Sequence, residues 1–212
     1  MTADKVAAHY THGSLLEAIL AKLDEAGVAQ GGLTARDLAP LDHLHTRGVV
    51  ATDEMIERLQ PQAGQTIIDI GCGIGGPARY IAAITEAKVT GIDLTPEFIA
   101  VASTLADMTG LGDAASFQVG DALNLPFDDA SFDAIFLVTV FGEIAEREAF
   151  LREAARVLKP DGVLSITEHH PDPDFESAQA VVAGLQAHGF EPLQQLGWRW
   201  AYTLNAVPRR GG

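Results

Sequence analysis

The sequence predicts a single α/β domain whose parallel sheet carries helices on both faces. From Thr66 onward, short β-branched or apolar runs alternate with helical stretches, the signature of that layered architecture. A cluster of glycines, Gly71, Gly73, Gly75 and Gly76, joins the first such run to the first helix of the alternation. The chain has 212 residues, 47% hydrophobic and 20% charged, which is enough for one sizeable core and too little for two full domains.

Residues 12–60 read as mainly helical. Leu15, Leu16, Ile19, Leu20 and Leu23 fall at helical spacing, Gly27 follows as a stop, and Ala51 to Leu59 resumes after a loop. The break at Pro61-Gln62-Ala63-Gly64 divides a helical cap or extension, residues 1–60, from the main domain, residues 61–212. Strands are expected at Thr66–Ile70, Lys88–Ile92, Ser116–Val119, Phe132–Val138 and Val163–Thr167. Helices are expected at Ala78–Thr85, Pro96–Thr109, Ala145–Leu158 and Glu176–Gly189, the third stopped by Pro160-Asp161-Gly162. Phe190–Leu196 and Arg199–Val207 have almost nothing between them but Gly197, so they can pair only as an antiparallel hairpin.

Composition narrows the partners. With 29 Asp plus Glu against 14 Lys plus Arg, the net charge is −15, which opposes attraction to nucleic acid or anionic lipid. The first twenty residues lack the basic-then-apolar layout of a secretory signal, and no apolar run approaches bilayer length, so neither export nor a membrane span is expected. Cys72 is the sole cysteine and cannot form an internal disulfide, which fits a reducing cytoplasm. No metal site is expected: His43-x-His45 has strand-like spacing without further ligands, and the adjacent His169 and His170 should point apart.

The strongest signal is IIDIGCGIGGPARYIA, residues 67–82. A buried strand ends at Ile70, Gly71 and Gly73 allow a tight turn and close approach to a ligand, and Gly75 and Gly76 open a helix whose first turn tolerates Pro77. Gly71-x-Gly73-x-x-Gly76 alone also serves dinucleotides. Asp93, 24 residues after Asp69, ends the second strand, where its carboxylate can accept both hydroxyls of an adenosine ribose. Asp121 follows the third strand; it can meet an adenine edge in the same crevice or serve as a turn aspartate.

The series DIGCGIGG, GIDLT, GDALNLPFDDASFDAIF and RVLKPDGVLSITE resembles the successive motifs of the class I S-adenosylmethionine-dependent methyltransferases, over roughly residues 45–207. The resemblance implies a Rossmann-like seven-stranded sheet of order 3-2-1-4-5-7-6 with strand seven antiparallel. It also implies that Asp69 and the backbone of Gly71, Cys72 and Gly73 surround the methionine part of the cofactor, that Asp93 takes the ribose hydroxyls and that Leu94 packs on adenine. Asp121 would bind the adenine amino group, Ala122 would donate its N–H to the ring, and the Val138 carbonyl would meet the amino group. The stretch DLAPLDHLHTRGVVATDEM resembles small-molecule methyltransferases of the sarcosine and phosphoethanolamine types. The part from Gly142 resembles instead the quinone-biosynthesis branch, with no large insertion after strand five, and the two likenesses meet near Thr139–Gly142. A pyrophosphate would suit Asp69 less well than an ammonium does, which favours the sulfonium cofactor over a nicotinamide. The rivals are a nucleotide-cofactor oxidoreductase and a cofactor-binding scaffold without transfer activity.

Methyl transfer needs alignment first and a base only where the acceptor must lose a proton. The candidate bases are His45, Glu143 and His169, with His43, Glu168 and His170 also at suitable positions. Candidate acceptor-binding residues are Tyr10, Arg47, Phe141 and Glu143; Arg47 could grip a carboxylate or be a surface charge, and Phe141 could line a pocket or belong to the core. Residues 9–14 and 41–48 hold the polar, flexible groups that a movable cover over the cofactor would need. The expected reaction is methyl transfer from S-adenosylmethionine to a small molecule, leaving S-adenosylhomocysteine.

Overall fold

A computed structural model describes residues 15–28, 31–43, 45, 47–170 and 172–209. Among the described residues three helices come first: α1 (Leu15–Glu25), α2 (Ala35–Asp42) and α3 (Val49–Leu59). The alternating part follows as β1 (Thr66–Ile70), α4 (Gly76–Thr85), β2 (Lys88–Asp93), α5 (Pro96–Met108), β3 (Ala115–Val119) and β4 (Phe132–Val138). A 3-10 turn (Phe141–Glu143) leads to α6 (Arg147–Val157), β5 (Leu158–His169), α7 (Ala178–Ala187) and the hairpin β6 (Phe190–Trp198) and β7 (Ala201–Pro208).

The seven strands form one sheet in the order β3-β2-β1-β4-β5-β7-β6. β1 pairs in parallel with β2 and with β4, and β7 runs antiparallel to both β5 and β6, as the resemblance implies. Side chains alternate across the sheet. Ile68 and Ile70 of β1 join Ile135 and Leu137 of β4 and Phe150 and Leu151 of α6 in one core layer. Ile67, Ala134 and Phe136 face the other way, against Met55 of α3 and Ala78 and Ile81 of α4. A third, smaller cluster packs Ile19 and Leu23 of α1 and Leu38 of α2 on Ile74, Phe98 and Leu105. Leu38 is fully buried there, worth about 1.5–3 kcal/mol to the docking of this small helix.

Two elements differ from expectation. The segment holding α2 falls in the loop expected between Gly27 and Ala51, yet a capping box starts a helix there: Thr34 Oγ1 accepts from the Asp37 N–H at 3.3 Å and Asp37 Oδ2 accepts from the Thr34 N–H at 3.0 Å. β5 starts at Leu158, not Val163. Helix α6 ends at Val157, and Phe132 pairs with Leu158 before Ala134 pairs with Val163, so residues 159–162 bulge against Asp133 alone. The Pro160-Asp161-Gly162 stop thus marks this bulge rather than the end of the helix, and Lys159 Nζ secures it on Asp133 Oδ2 at 2.8 Å.

Candidate functional site

From β1 the chain steps outward to β2 and β3, then crosses back to lay β4 on the other side of β1. The strand-end crevice at this reversal is where ligands settle in open α/β sheets. Asp69, Asp93 and Val138 lie at the C-terminal ends of β1, β2 and β4, and Asp121 stands just past β3.

The glycine loop is fixed from below. The Gly71 and Cys72 N–H groups both donate to the Ile92 carbonyl, at 2.8 and 3.0 Å, and the Gly75 N–H donates to the Cys72 carbonyl at 2.8 Å. Gly71 has φ 71°, and a Cβ there would stand 2.6 Å from Val140 Cγ2, so only glycine fits without movement. Asp93 ties the loop to the next helix: its Oδ2 accepts from the Gly73 N–H at 2.9 Å and its Oδ1 from the Thr95 N–H at 2.8 Å. Each oxygen keeps a second lone pair for a ligand hydroxyl.

Asp69 is 2% exposed and its Oδ2 has no hydrogen-bond partner. Burial raises its pKa well above the carboxylate range, the negative charge of Asp93 adds to this, and Arg79 opposes it. A buried carboxyl group with an unpartnered oxygen suits a ligand ammonium, whose charge would favour loss of the carboxyl proton and supply the missing bond. Leu94 and Val119 are large apolar side chains left 49% and 50% exposed. Val119 sits in register beside Asp93, so the two offer an apolar wall next to the carboxylate that could hold ribose. These features fit an adenosine carrying an ammonium tail, the shape of S-adenosylmethionine.

Other expected contacts are placed without partners that decide them. Asp121 is exposed and its Oδ1 accepts from the Leu123 N–H at 2.9 Å, a local turn bond that leaves the other oxygen available. Ala122 is half-buried against the core, and Val138 is buried at the end of β4. Cys72 is buried, and burial together with Asp69 and Asp93 pushes its thiol pKa well up, which keeps it protonated.

The acceptor side is less uniform. Tyr10 lies outside the described residues, as do 11–14, Leu44 and Thr46 of the expected cover. The Arg47 guanidinium makes a bidentate pair with Glu54, at 2.8 and 2.5 Å, so its charge is already engaged and it stands as a structural cation rather than a free carboxylate grip. Phe141 is 1% exposed and packs edge-on against Phe150 with the Arg147 guanidinium over its ring, which makes it a core residue and not a pocket wall. His45 Nε2 lies 3.4 Å from Thr52 Oγ1. Glu143 is exposed on the 3-10 turn; partial burial first, then the like charges of Asp172, Asp174 and Asp93, raise its pKa. His169, at the end of β5, is 1% exposed and neither ring nitrogen has a partner. Burial lowers its pKa, Arg47 lowers it further, and the ring is neutral at pH 7.

One further candidate takes a structural place, and one residue escapes the motif reading. Glu168, 1% exposed, accepts from the Phe141 N–H at 3.2 Å and so anchors the 3-10 turn; burial, chiefly, raises its pKa to about 8. Arg79 is fully buried in the first turn of α4, and the signal for it was a lone charge on a helix face of otherwise small and apolar residues.

Comparison with known proteins follows these lines. Residues 68–166 match the family described as methyltransferase domain. Methyltransferase GfsG of Streptomyces halstedii is 37% identical over 132 residues, covering 62% of this chain and 48% of that protein. Norajmaline N-methyltransferase of Rauvolfia serpentina is 36% identical over 116 residues, 53% of this chain and 40% of that one. The chain therefore spans half or less of the length of these curated relatives. Among solved structures, the [4+2]-cyclase SpnF superposes with a TM-score of 0.74 over 100% of this chain and 98% of its own, at 23% identity, a likeness of fold alone.

Proposed function

We propose, on the premise that this chain belongs to the class I S-adenosylmethionine-dependent methyltransferases, that it transfers the cofactor's methyl group to a small-molecule acceptor. The observation that carries the reading is the buried Asp69 carboxylate with its vacant Oδ2, one strand away from an Asp93 carboxylate that already orders the glycine loop. S-adenosylmethionine, when bound, supplies a methyl group activated by a positive sulfur. Asp69 would hold the ammonium, Asp93 the ribose hydroxyls, Leu94 and Val119 the adenine face, and Asp121 its amino edge. Transfer of that methyl group to an acceptor lone pair would leave S-adenosylhomocysteine, and the part of these residues would be to hold donor and acceptor in line. A proton on the acceptor then needs a base.

Of the three candidate bases, His169 is favoured. Its imidazole is neutral, buried and without hydrogen-bond partners, whereas His45 lies by Thr52 and Glu143 sits on the exposed side of the 3-10 turn among the like charges of Asp172 and Asp174. The described residues before 61 form the cap in this reading, and those of 41–48 are its moving edge over the crevice. We place the protein in the cytoplasm, with neither nucleic acid nor a membrane as its partner. No helix among the described residues is long and apolar enough to cross a membrane.

The test is incubation with methyl-labelled S-adenosylmethionine and a panel of amines, phenols and quinone precursors, with mass analysis of the products. S-adenosylhomocysteine should raise the melting temperature and NAD should not. The opposite pattern would return the oxidoreductase, and a cofactor shift without any labelled product across the panel would favour the scaffold. For the cap, S-adenosylhomocysteine should slow amide exchange over residues 41–48; exchange unaltered there would make the cap a static extension.

A further inference from the structure

The glycine loop meets the N-terminal cap through Ile74, which packs on α1 and α2, and through one buried cation. Arg79 Nη1 donates to the Ile74 carbonyl inside the loop at 2.7 Å and to the Ala102 carbonyl of α5 at 3.1 Å. Its Nη2 donates to Asp42 Oδ2, the last residue of α2, at 2.7 Å. Asp42 in turn orients His43, whose Nδ1 lies 3.0 Å from Asp42 Oδ1. Both members of the pair are within 1% of full side-chain burial. The guanidinium also lies 5.9 Å from the centre of the Phe117 ring.

Space at the loop is set by the same contact. A Cβ on Gly76 would come within 2.4 Å of the Asp42 carbonyl oxygen, and one on Gly75 within 2.8 Å of Arg79 Nη1. Cap and loop backbones are therefore in direct contact, with Arg79 filling the gap beside them. Such an arrangement is expensive if it only joins two helices. A buried ion pair gains little over apolar packing, and burial here pulls the Arg79 pKa down against the opposing pull of Asp42. What an apolar residue could not do is hold a loop carbonyl and a cap carboxylate on one rigid plane.

We propose that Arg79 is a positioning residue for the cofactor site: by holding Ile74 and Asp42 together it fixes residues 71–76 in their ligand-binding shape and docks α2 on them, so that cofactor binding and cap docking are one event. The inference rests on the methyltransferase reading, because the loop's ligand is taken to be the cofactor. Arg79 does not touch that ligand in this account. It acts through the loop.

The experiment compares the full-length wild type with Asp42→Asn and Arg79→Lys. Asp42→Asn removes the charge and keeps the shape; Arg79→Lys keeps the charge, but one ammonium cannot span both carbonyls and the carboxylate in the planar arrangement. In the wild type, S-adenosylhomocysteine should slow amide exchange over 35–43 as well as 71–76. In either variant that folds, its affinity by calorimetry should fall about tenfold or more, the loss expected for a charge-assisted contact. Without ligand, exchange should rise in both segments together. A merely structural pair would lower the melting temperature and loosen 35–43 while leaving 71–76 and the affinity within about twofold of the wild type, and that result overturns the proposal. So does a wild type that binds the ligand with no slowing over 35–43. A wild type that fails to bind S-adenosylhomocysteine at all instead overturns the methyltransferase reading, and this inference with it.

Discussion

Asp93→Asn separates what the carboxylate does for the loop from what it does for the ligand. Asparagine keeps the shape, but one of its two terminal atoms becomes an NH2. Both Asp93 oxygens accept backbone N–H groups, from Gly73 at 2.9 Å and Thr95 at 2.8 Å, so whichever way the amide turns, a donor faces a donor. One bond is lost outright with its N–H left unpaired, at about 1–3 kcal/mol, and the surviving bond loses its charge assistance. The unliganded protein should therefore unfold at lower urea, with the m-value unchanged. Calorimetry should show S-adenosylhomocysteine binding weakened by about 1.5–3 kcal/mol for each charged bond to ribose that is lost. Asp121→Asn is the control: that side chain is exposed and holds one local turn bond, so stability should move by less than about 1 kcal/mol. An Asp93→Asn protein as stable as the wild type would refute the anchoring argument. Unchanged affinity in a destabilised variant would remove Asp93 from the ribose site while leaving its role in the loop intact.

Three further outcomes follow from the geometry. Gly71→Ala should cost about 2–4 kcal/mol, from the left-handed φ and the contact with Val140, and adding Val140→Ala should recover part of it; urea unfolding of the single and double variants would show no recovery if the clash is not the cause. Glu168 binds a proton in the folded state up to about pH 8, so its contribution is full below the ordinary carboxylate range and is lost as the pH rises through about 8. Glu168→Gln can still accept from Phe141 and should flatten the decline of stability between pH 5 and 8; an unchanged slope would assign that decline elsewhere. His169→Leu should raise stability by about 1–2 kcal/mol by removing two unpaired buried nitrogens, while abolishing turnover on any acceptor that must lose a proton. Lower stability would mean that the imidazole serves the fold.

The sheet was legible because its signals are local. β1 and β4 match their expected bounds, and β2 and β3 agree to one residue, since alternating apolar runs between glycine and proline breaks leave little choice of register. The order of the strands came from the family resemblance, not from any pattern in the runs themselves. Helix α2 was missed inside the expected loop because it is only two turns long; the capping box and the burial of Leu38 hold it, with Pro40 inside. The residues that the cofactor motifs single out fall at neighbouring strand ends, because each motif is a short run joined to its own strand. The acceptor side left alternatives open, because its residues are defined by who neighbours whom: Arg47 reads as a carboxylate grip or a surface charge until Glu54 is folded against it, and Phe141 as pocket wall or core until Phe150 packs on it. Arg79 and Asp42, 37 residues apart, form a pair that spacing alone cannot disclose.

The placement of β7 between β5 and β6 has a consequence for how the chain comes off the ribosome. β6 emerges first yet has no partner in the sheet until Ala201–Pro208 arrives, because it pairs with β7 and not with β5. Until then β5 presents a bare edge of unpaired backbone groups, the kind of template on which other chains collect. Residues 66–138, by contrast, hold β1 to β4 and every strand end of the cofactor crevice, and all are available well before that. The half of the molecule that binds is thus synthesised ahead of the half that closes the sheet, and the aggregation-prone interval of its birth lasts for the time needed to translate the stretch between His169 and Pro208.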